Sequence, residues 1–168
     1  MKRLGIHLKK PGYRRGKPHI FFENKLQREF QAERANHKRC TDFTYLFLKN
    51  GETRCKCSIA DLYDRSVIAS VTERKITSGL AIRTLKKALE SQPQIKEEWI
   101  LHSDQGSQYT SKAFVEFCES VHVSQSMSKA GSPYDNAPME RYFNTLKNEC
   151  VNLYEFQTEE ALYQAVED

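Results

Sequence analysis

The stretch DFTYLFLKNGETRCKCSIADLY, residues 42–63, constrains the fold more than any other. Thr44 to Leu48 are β-prone. Asn50-Gly51 is the strongest two-residue hairpin signal, and Cys55, Cys57 and Ile59 alternate onto one face of a return strand over about 53–60. The hairpin forces its second strand antiparallel. Beyond it the pattern changes period. Val67–Val71 reads as a third short strand, and Ile76, Leu80, Leu85 and Leu89 fall at helical spacing, predicting a helix over Thr77–Glu90 that ends before Pro93. EEWILHS is a buried strand of the kind found inside a sheet. Thr110 or Ser111 caps a helix carrying Phe114, Val115, Phe117, Cys118 and Val121. HVSQS is a fifth strand. Gly131-Ser132-Pro133 breaks the chain before a helix over about Asn136–Cys150, and a last helix starts near Thr158. The order βββαβαβα predicts an α/β domain, a five-stranded mixed sheet flanked by helices.

Charge divides the chain. Residues 1–41 hold 12 Lys and Arg against 3 Glu, whereas the remainder holds 14 against 19. Residues 1–38, with Pro11, Gly12, Gly16 and Pro18, therefore read as a basic arm or linker, with a short helix near Lys25–Arg34, ahead of a core over 39–168. Arg14, Arg15 and Lys17 in that arm are candidate contacts to a polyanion, because clustered cations release counterions from nucleic acid phosphates. No apolar run approaches the roughly 20 residues that cross a bilayer, and the basic start lacks a signal-peptide core, so no membrane partner and a cytoplasmic location are expected. Cys40, Cys55, Cys57, Cys118 and Cys150 have no paired spacing and read as reduced, mostly buried thiols.

Asp42 opens the first strand in this reading and Asp104 follows the fourth, in HSDQGSQYTS. Right-handed crossovers set such strand ends side by side. On the helix after the breaker Asn136, Glu140, Asn144 and Lys147 form one polar stripe, while Phe143, Leu146 and Cys150 form a neighbouring apolar one that faces the core. Three carboxylates at one spot repel each other, and hard divalent cations relieve the repulsion. Two such ions can drive phosphodiester displacement. Chemistry alone does not single out these three among 22 acids.

TDFTY (41–45), DLYDR (61–65), HSDQGSQYTS (102–111) and GSPYDNAPMERYFNTLKNE (131–149) together resemble the catalytic core of bacterial insertion-sequence transposases of the IS-three family, akin to retroviral integrases. Asp104 and Glu140 have 35 residues between them, the spacing of that group. The resemblance implies a ribonuclease H-like fold and a triad of Asp42, Asp104 and Glu140 that binds two Mg²⁺ or Mn²⁺ ions and is both catalytic and metal-ligating. It implies double-stranded DNA, as element ends and target, for a partner, with Asn144 and Lys147 touching the DNA end and a homo-oligomer as the active assembly. Water would first cut a phosphodiester at the element's end, and the freed 3′-hydroxyl would attack another in line, with no covalent protein intermediate. The alternative is a non-catalytic DNA-binding or oligomerising module.

The sequence departs from that pattern in places. Arg39 stands where relatives usually carry a tryptophan, which predicts a looser attachment of the arm. The chain lacks the upstream helix-turn-helix region and stops before the segment that usually completes the domain, so it reads as truncated at both ends. Asp61 reads as a strand-end or turn residue, and Asp135-Asn136 as ordering the loop and capping the helix of Glu140. His102 reads as a packed strand histidine. His7, His19, His37 and Cys40 lack zinc spacing, and Ser103, Ser107 and Ser111 lack a His/Asp partner for covalent catalysis.

Overall fold

Asn50-Gly51 turns the chain as its composition demands: Gly51 takes a left-handed φ of 85°, and the Asn50 side chain accepts from the Glu52 amide at 2.9 Å. A computed structural model describes residue 20 and residues 22–92 and 98–167. The elements are β1 Lys38–Phe47, β2 Thr53–Asp61, β3 Val67–Glu73, α1 Ser78–Ser91, β4 Trp99–Ser103, α2 Lys112–Ser120, β5 Val123–Met127, α3 Ala137–Glu149 and α4 Glu159–Glu167, with 3₁₀ turns at Pro133–Asn136 and Val151–Leu153. They form one five-stranded sheet in the order β3-β2-β1-β4-β5, with β2 antiparallel to both neighbours and β4 parallel to β1 and β5. The mixed sheet expected from the order of elements is present. Among the described residues no helix is long and apolar enough to cross a membrane.

Period-two alternation sorts the strands between two helical layers. On β2, Cys55, Cys57 and Ile59 face α1, where Leu80, Leu85 and Ala88 are buried. Lys56 and Ala60 face the other way, toward α4 and α3. On β1, Cys40 packs with Met139 and Phe143 of α3, and Leu46 packs with Leu162 and Val166 of α4. Asp42 lies between Cys40 and Leu46 in that alternation, so it points to the α3 side. All five thiols are free, and four are buried.

The structure departs from the sequence expectations in several places. β1 begins at Lys38, so Asp42 is its fifth residue and not its opening one. No helix forms near Lys25–Arg34. Gln27 and Arg28 take left-handed φ of 48° and 67°, and the Asn24 side chain accepts from the Gln27 amide at 2.8 Å, a turn that competes with helix. Leu26, 1% exposed, is pulled into the cluster around Met139. Pro93 lies outside the described residues; α1 ends at Ser91 with Gln92 after it.

Arg39 is itself a packed residue. It is fully buried, its guanidinium lies 4.4 Å from the Trp99 ring centroid, and it bonds Asn36 while its Nε stands 3.8 Å from the Asp61 carboxylate. Burial pulls its pKa down to about 10, opposed by Asp61. Asp61 ends β2 and accepts from the Asn36 and Tyr63 amides at 2.6 and 2.8 Å. Arg39→Ala would leave a void beside Trp99 and an unpaired buried carboxylate. It is expected to lower stability by about 3 kcal/mol, read as a shift of the urea midpoint; a variant as stable as the parent would show the pair to be idle.

Candidate active site

Two strand ends and one helix build the cleft. β1 and β4 pair in parallel with Lys38 opposite Ile100 and Cys40 opposite His102. Carrying that register two residues further sets Asp104 beside Asp42, where β4 has ended and β1 continues. Asp42 is half-buried, and Asp104 and Glu140 are exposed at the rim. All three line one cleft of about 400 Å³. Asn136, Asn144 and Lys147 line it too, so the whole polar stripe read from α3 faces Asp42. Met139 and Phe143, buried at 0% and 6%, pin the neighbouring face of that helix to the sheet. Glu140 is thereby presented by packed structure.

Local turns fix each aspartate. The Phe43 amide donates to Asp42 Oδ1 at 2.8 Å, and the Gly106 amide donates to Asp104 Oδ1 at 2.8 Å. A Cβ at Gly106 would lie 2.8 Å from Asp104 Oδ1 and 2.9 Å from Gln108 Oε1, so a larger residue there would displace the Asp104 carboxylate or the Gln108 side chain. Beneath Asp42, Tyr109 is 1% exposed, its hydroxyl 3.1 Å from Thr41 Oγ1, and its carbonyl accepts from Gln125 at 3.0 Å. It anchors the loop after Asp104 to β1 and β5.

Burial raises the Asp42 carboxyl to about 7, with Asp104 and Glu140 adding to the rise and the Phe43 amide opposing it. The donor set fits a hard divalent cation: it is all oxygen, it is mutually repulsive, and the buried Asn136 Oδ1 beside it has no hydrogen-bond partner. Among the described residues no three His, Cys, Asp or Glu side chains already stand together as a metal cluster. The three carboxylates frame the cleft and have not closed on one point.

The other predicted residues divide. Arg14, Arg15 and Lys17 lie outside the described residues. His102 is fully buried, its ring nitrogens 2.8 and 3.1 Å from the Ser126 and Ser128 hydroxyls, and burial lowers its pKa, as suits a packed neutral histidine. Asp135 does order the loop, but it does not cap α3. It accepts from the Lys129 amide at 3.0 Å and from Arg28, and Asn136 makes no side-chain cap bond: its Nδ2 donates to the Thr41 carbonyl at 3.2 Å and its Oδ1 accepts from no backbone amide. Ser128 and Lys129, which follow β5 and line the cleft, were missed. Their place just past a parallel strand's carboxyl end was the available signal.

The raised carboxyl has a consequence for stability without divalent ions. The folded state holds the Asp42 proton more tightly than the unfolded chain, whose aspartate titrates near ~3.9. The Asp42 contribution to stability is therefore greatest below about pH 4 and is lost as pH rises through about 7. In chelator, Asp42→Asn is expected to raise stability by about 1–2 kcal/mol at pH 8, allowing for solvent screening, and to change little at pH 4. Thermal melts at both pH values check this, and equal shifts at both would refute it.

Comparisons with known proteins place the chain in a family. Two integrase core domain families match, one over residues 32–133 and one over 121–168. The chain is 37% identical over 144 residues to the putative transposase InsK of insertion element IS150 from Escherichia coli, covering 85% of this chain and 50% of that protein. It is 32% identical to the IS904 transposase of Lactococcus lactis, covering 92% of this chain and 60% of the relative. It thus spans about half the length of the curated relatives it matches. Among solved structures, a chain of the simian T-cell lymphotropic virus intasome superposes with a TM-score of 0.69 at 21% identity, covering 81% of this chain and 49% of that one. The Mos1 mariner transposase catalytic domain gives 0.64 at 16%, covering 77% and 67%. The fold is the ribonuclease H-like fold of integrase and transposase catalytic domains, and the chain belongs to the integrase core domain family, among the insertion-sequence transposases.

Proposed function

We propose that this chain is the catalytic core of a DNA transposase, a polynucleotidyl transferase that cuts a strand at an element end and joins the resulting 3′-hydroxyl to target DNA. The observation that carries the reading is the meeting of Asp42, Asp104 and Glu140 on one cleft, from two strand ends and a packed helix. Two Mg²⁺ or Mn²⁺ ions, when bound, would neutralise the carboxylates, activate the attacking oxygen and stabilise the leaving one. The HTLV-2 integrase core, 23% identical to this chain, has been solved with magnesium in dimeric and trimeric forms. We extend that precedent to divalent ions and a homo-oligomer here.

The chain's own groups supply position. Asp42, at the floor, offers its carboxylate from a rigid central strand. Asp104 and Glu140 offer theirs from the rim on opposite sides. Asn144 and Lys147, one and two turns along α3 from Glu140, reach the phosphate next to the scissile bond, Asn144 by hydrogen bonds and Lys147 as a point charge. Lys129 lines the cleft as a second cation. Positioning and electrostatic stabilisation provide most of the rate enhancement. His102 is paired with two buried serines, which leaves it no part as a base for a covalent step.

Asp42→Asn, Asp104→Asn and Glu140→Gln are each expected to lower metal-dependent strand cleavage and joining by about 10³-fold or more, with the far-ultraviolet circular dichroism unchanged. Near-parental activity in any one would remove that residue from the site. A parent chain that binds DNA in a salt-sensitive way without metal, yet never cuts it with metal, would instead favour a non-catalytic binding or oligomerising module. A parent that cuts DNA without joining a 3′-hydroxyl to target would be a nuclease of the same fold.

A further inference from the structure

The loop between β5 and α3 forms one wall of the cleft, and it is held from outside. Within the loop, Asp135 is the hub: its side chain is 3% exposed, and its Oδ2 accepts from the Lys129 amide at 3.0 Å, closing residues 129–135 on themselves. Ser132 N donates to the Lys129 carbonyl at 3.1 Å, and Asp135 N donates to the Ser132 carbonyl at 3.1 Å. The remaining bonds to that carboxylate come from a segment more than a hundred residues away. Arg28 Nε donates to Oδ1 at 2.7 Å, and Asn24 Nδ2 donates to Oδ2 at 3.2 Å. Arg28 leads the influences that hold the Asp135 carboxyl below its ordinary range.

Residues 23–28 are themselves clamped to the sheet edge. The Met127 amide donates to the Glu23 carbonyl at 3.2 Å, the Lys25 amide donates to Ser126 Oγ at 2.9 Å, and Leu26 is buried under α3. Gln27 and Arg28 are in succession left-handed without being glycine, an arrangement that persists only where neighbours over-determine it. Here the Asn24 cap on the Gln27 amide, buried Leu26 and the Arg28–Asp135 pair do so. Asn24 serves both ends, its oxygen holding the turn and its nitrogen holding Asp135.

We propose that residues 23–28 latch the cleft loop, and that Arg28 and Asp135 are positioning residues that hold residues 128–136 where Asn136 and Glu140 face Asp42. The roles in catalysis rest on the reading of the cleft as a strand-cutting site. The latch itself rests only on the contacts above. Nothing in it touches the reacting atoms. It sets the entry of α3, and so the height of the rim carboxylate, by fixing the loop that leads into it.

Arg28 is 58% exposed, so its replacement should spare the fold. Two measurements are made on the whole chain: hydrogen exchange of the amides of residues 128–135, and Mn²⁺-dependent nicking of supercoiled plasmid DNA. Arg28→Ala is expected to speed exchange in that loop about tenfold while β1 and β4 stay protected. It is expected to lower kcat for nicking about tenfold with KM changed less than about twofold, and Arg28→Lys should recover most of both, because one charged donor suffices for a single bond. Unchanged loop exchange in Arg28→Ala overturns the latch. Faster exchange with unaltered nicking, or a lysine variant no better than alanine, overturns the positioning roles. A parent chain that does not nick overturns the reading of the cleft and the positioning roles with it, while the exchange rates still decide whether the latch exists.

Discussion

The parallel seam between β1 and β4 is the constraint on which the rest of the cleft depends. It is short, three residue pairs from Lys38–Ile100 to Cys40–His102, and it ends where the two aspartates stand. A parallel pair cannot be made by a tight turn. It needs a crossover, which here runs through the hairpin, β3 and α1. The register of that seam brings Asp104 to Asp42 across a long stretch of sequence. A one-residue slip would send Asp104 to a different neighbour and turn the side chains of β4 to the wrong layer. Glu140 depends on the same sheet from above, since Met139 and Phe143 pack against Cys40 and Ala60.

Several buried polar groups guard this register, though the buried Arg39 Nε and Nη1 have no hydrogen-bond partner. Lys56, fully buried on β2, donates to the Val166 carbonyl near the end of α4 at 2.6 Å and to Ser70 Oγ at 2.7 Å, and burial lowers its pKa to about 8. Buried Arg54, joined by exposed Arg74, grips Glu159 at the start of the same helix. Arg39 fills the space beside Trp99 on the opposite face. His102 links β4 to β5 through Ser126 and to the cleft loop through Ser128. Unpaired, such groups would be costly, so each narrows the packings the chain can adopt. The carboxylate cleft differs in kind. There repulsion is left unrelieved in the protein itself, in keeping with a site completed by a cation.

Much of this was legible in the residues. The hairpin signal at Asn50-Gly51, the alternation of Cys55, Cys57 and Ile59, and the polar stripe from Asn136 to Lys147 are local patterns, and local patterns survive folding. Other features depended on tertiary partners. The segment around Leu26 carries residues compatible with helix, yet the burial of Leu26 and the pairing of Arg28 with Asp135 override that propensity. Arg39 looked like a lost packing residue because its stacking partner, Trp99, is distant in sequence. Asn136 looked like a helix cap because its position in the chain is right, but the Thr41 carbonyl lies within its reach. Lys129 carries no motif of its own; only the end of β5 places it in the cleft.

The central claim is that Asp42 and Asp104 together hold a divalent cation. Crystals of the chain soaked in Mn²⁺, with anomalous scattering recorded at the manganese edge, test it most directly. The account predicts an anomalous peak coordinated by both carboxylates, reduced in Asp104→Asn. Manganese found only elsewhere on the molecule, or a peak indifferent to that substitution, would contradict it.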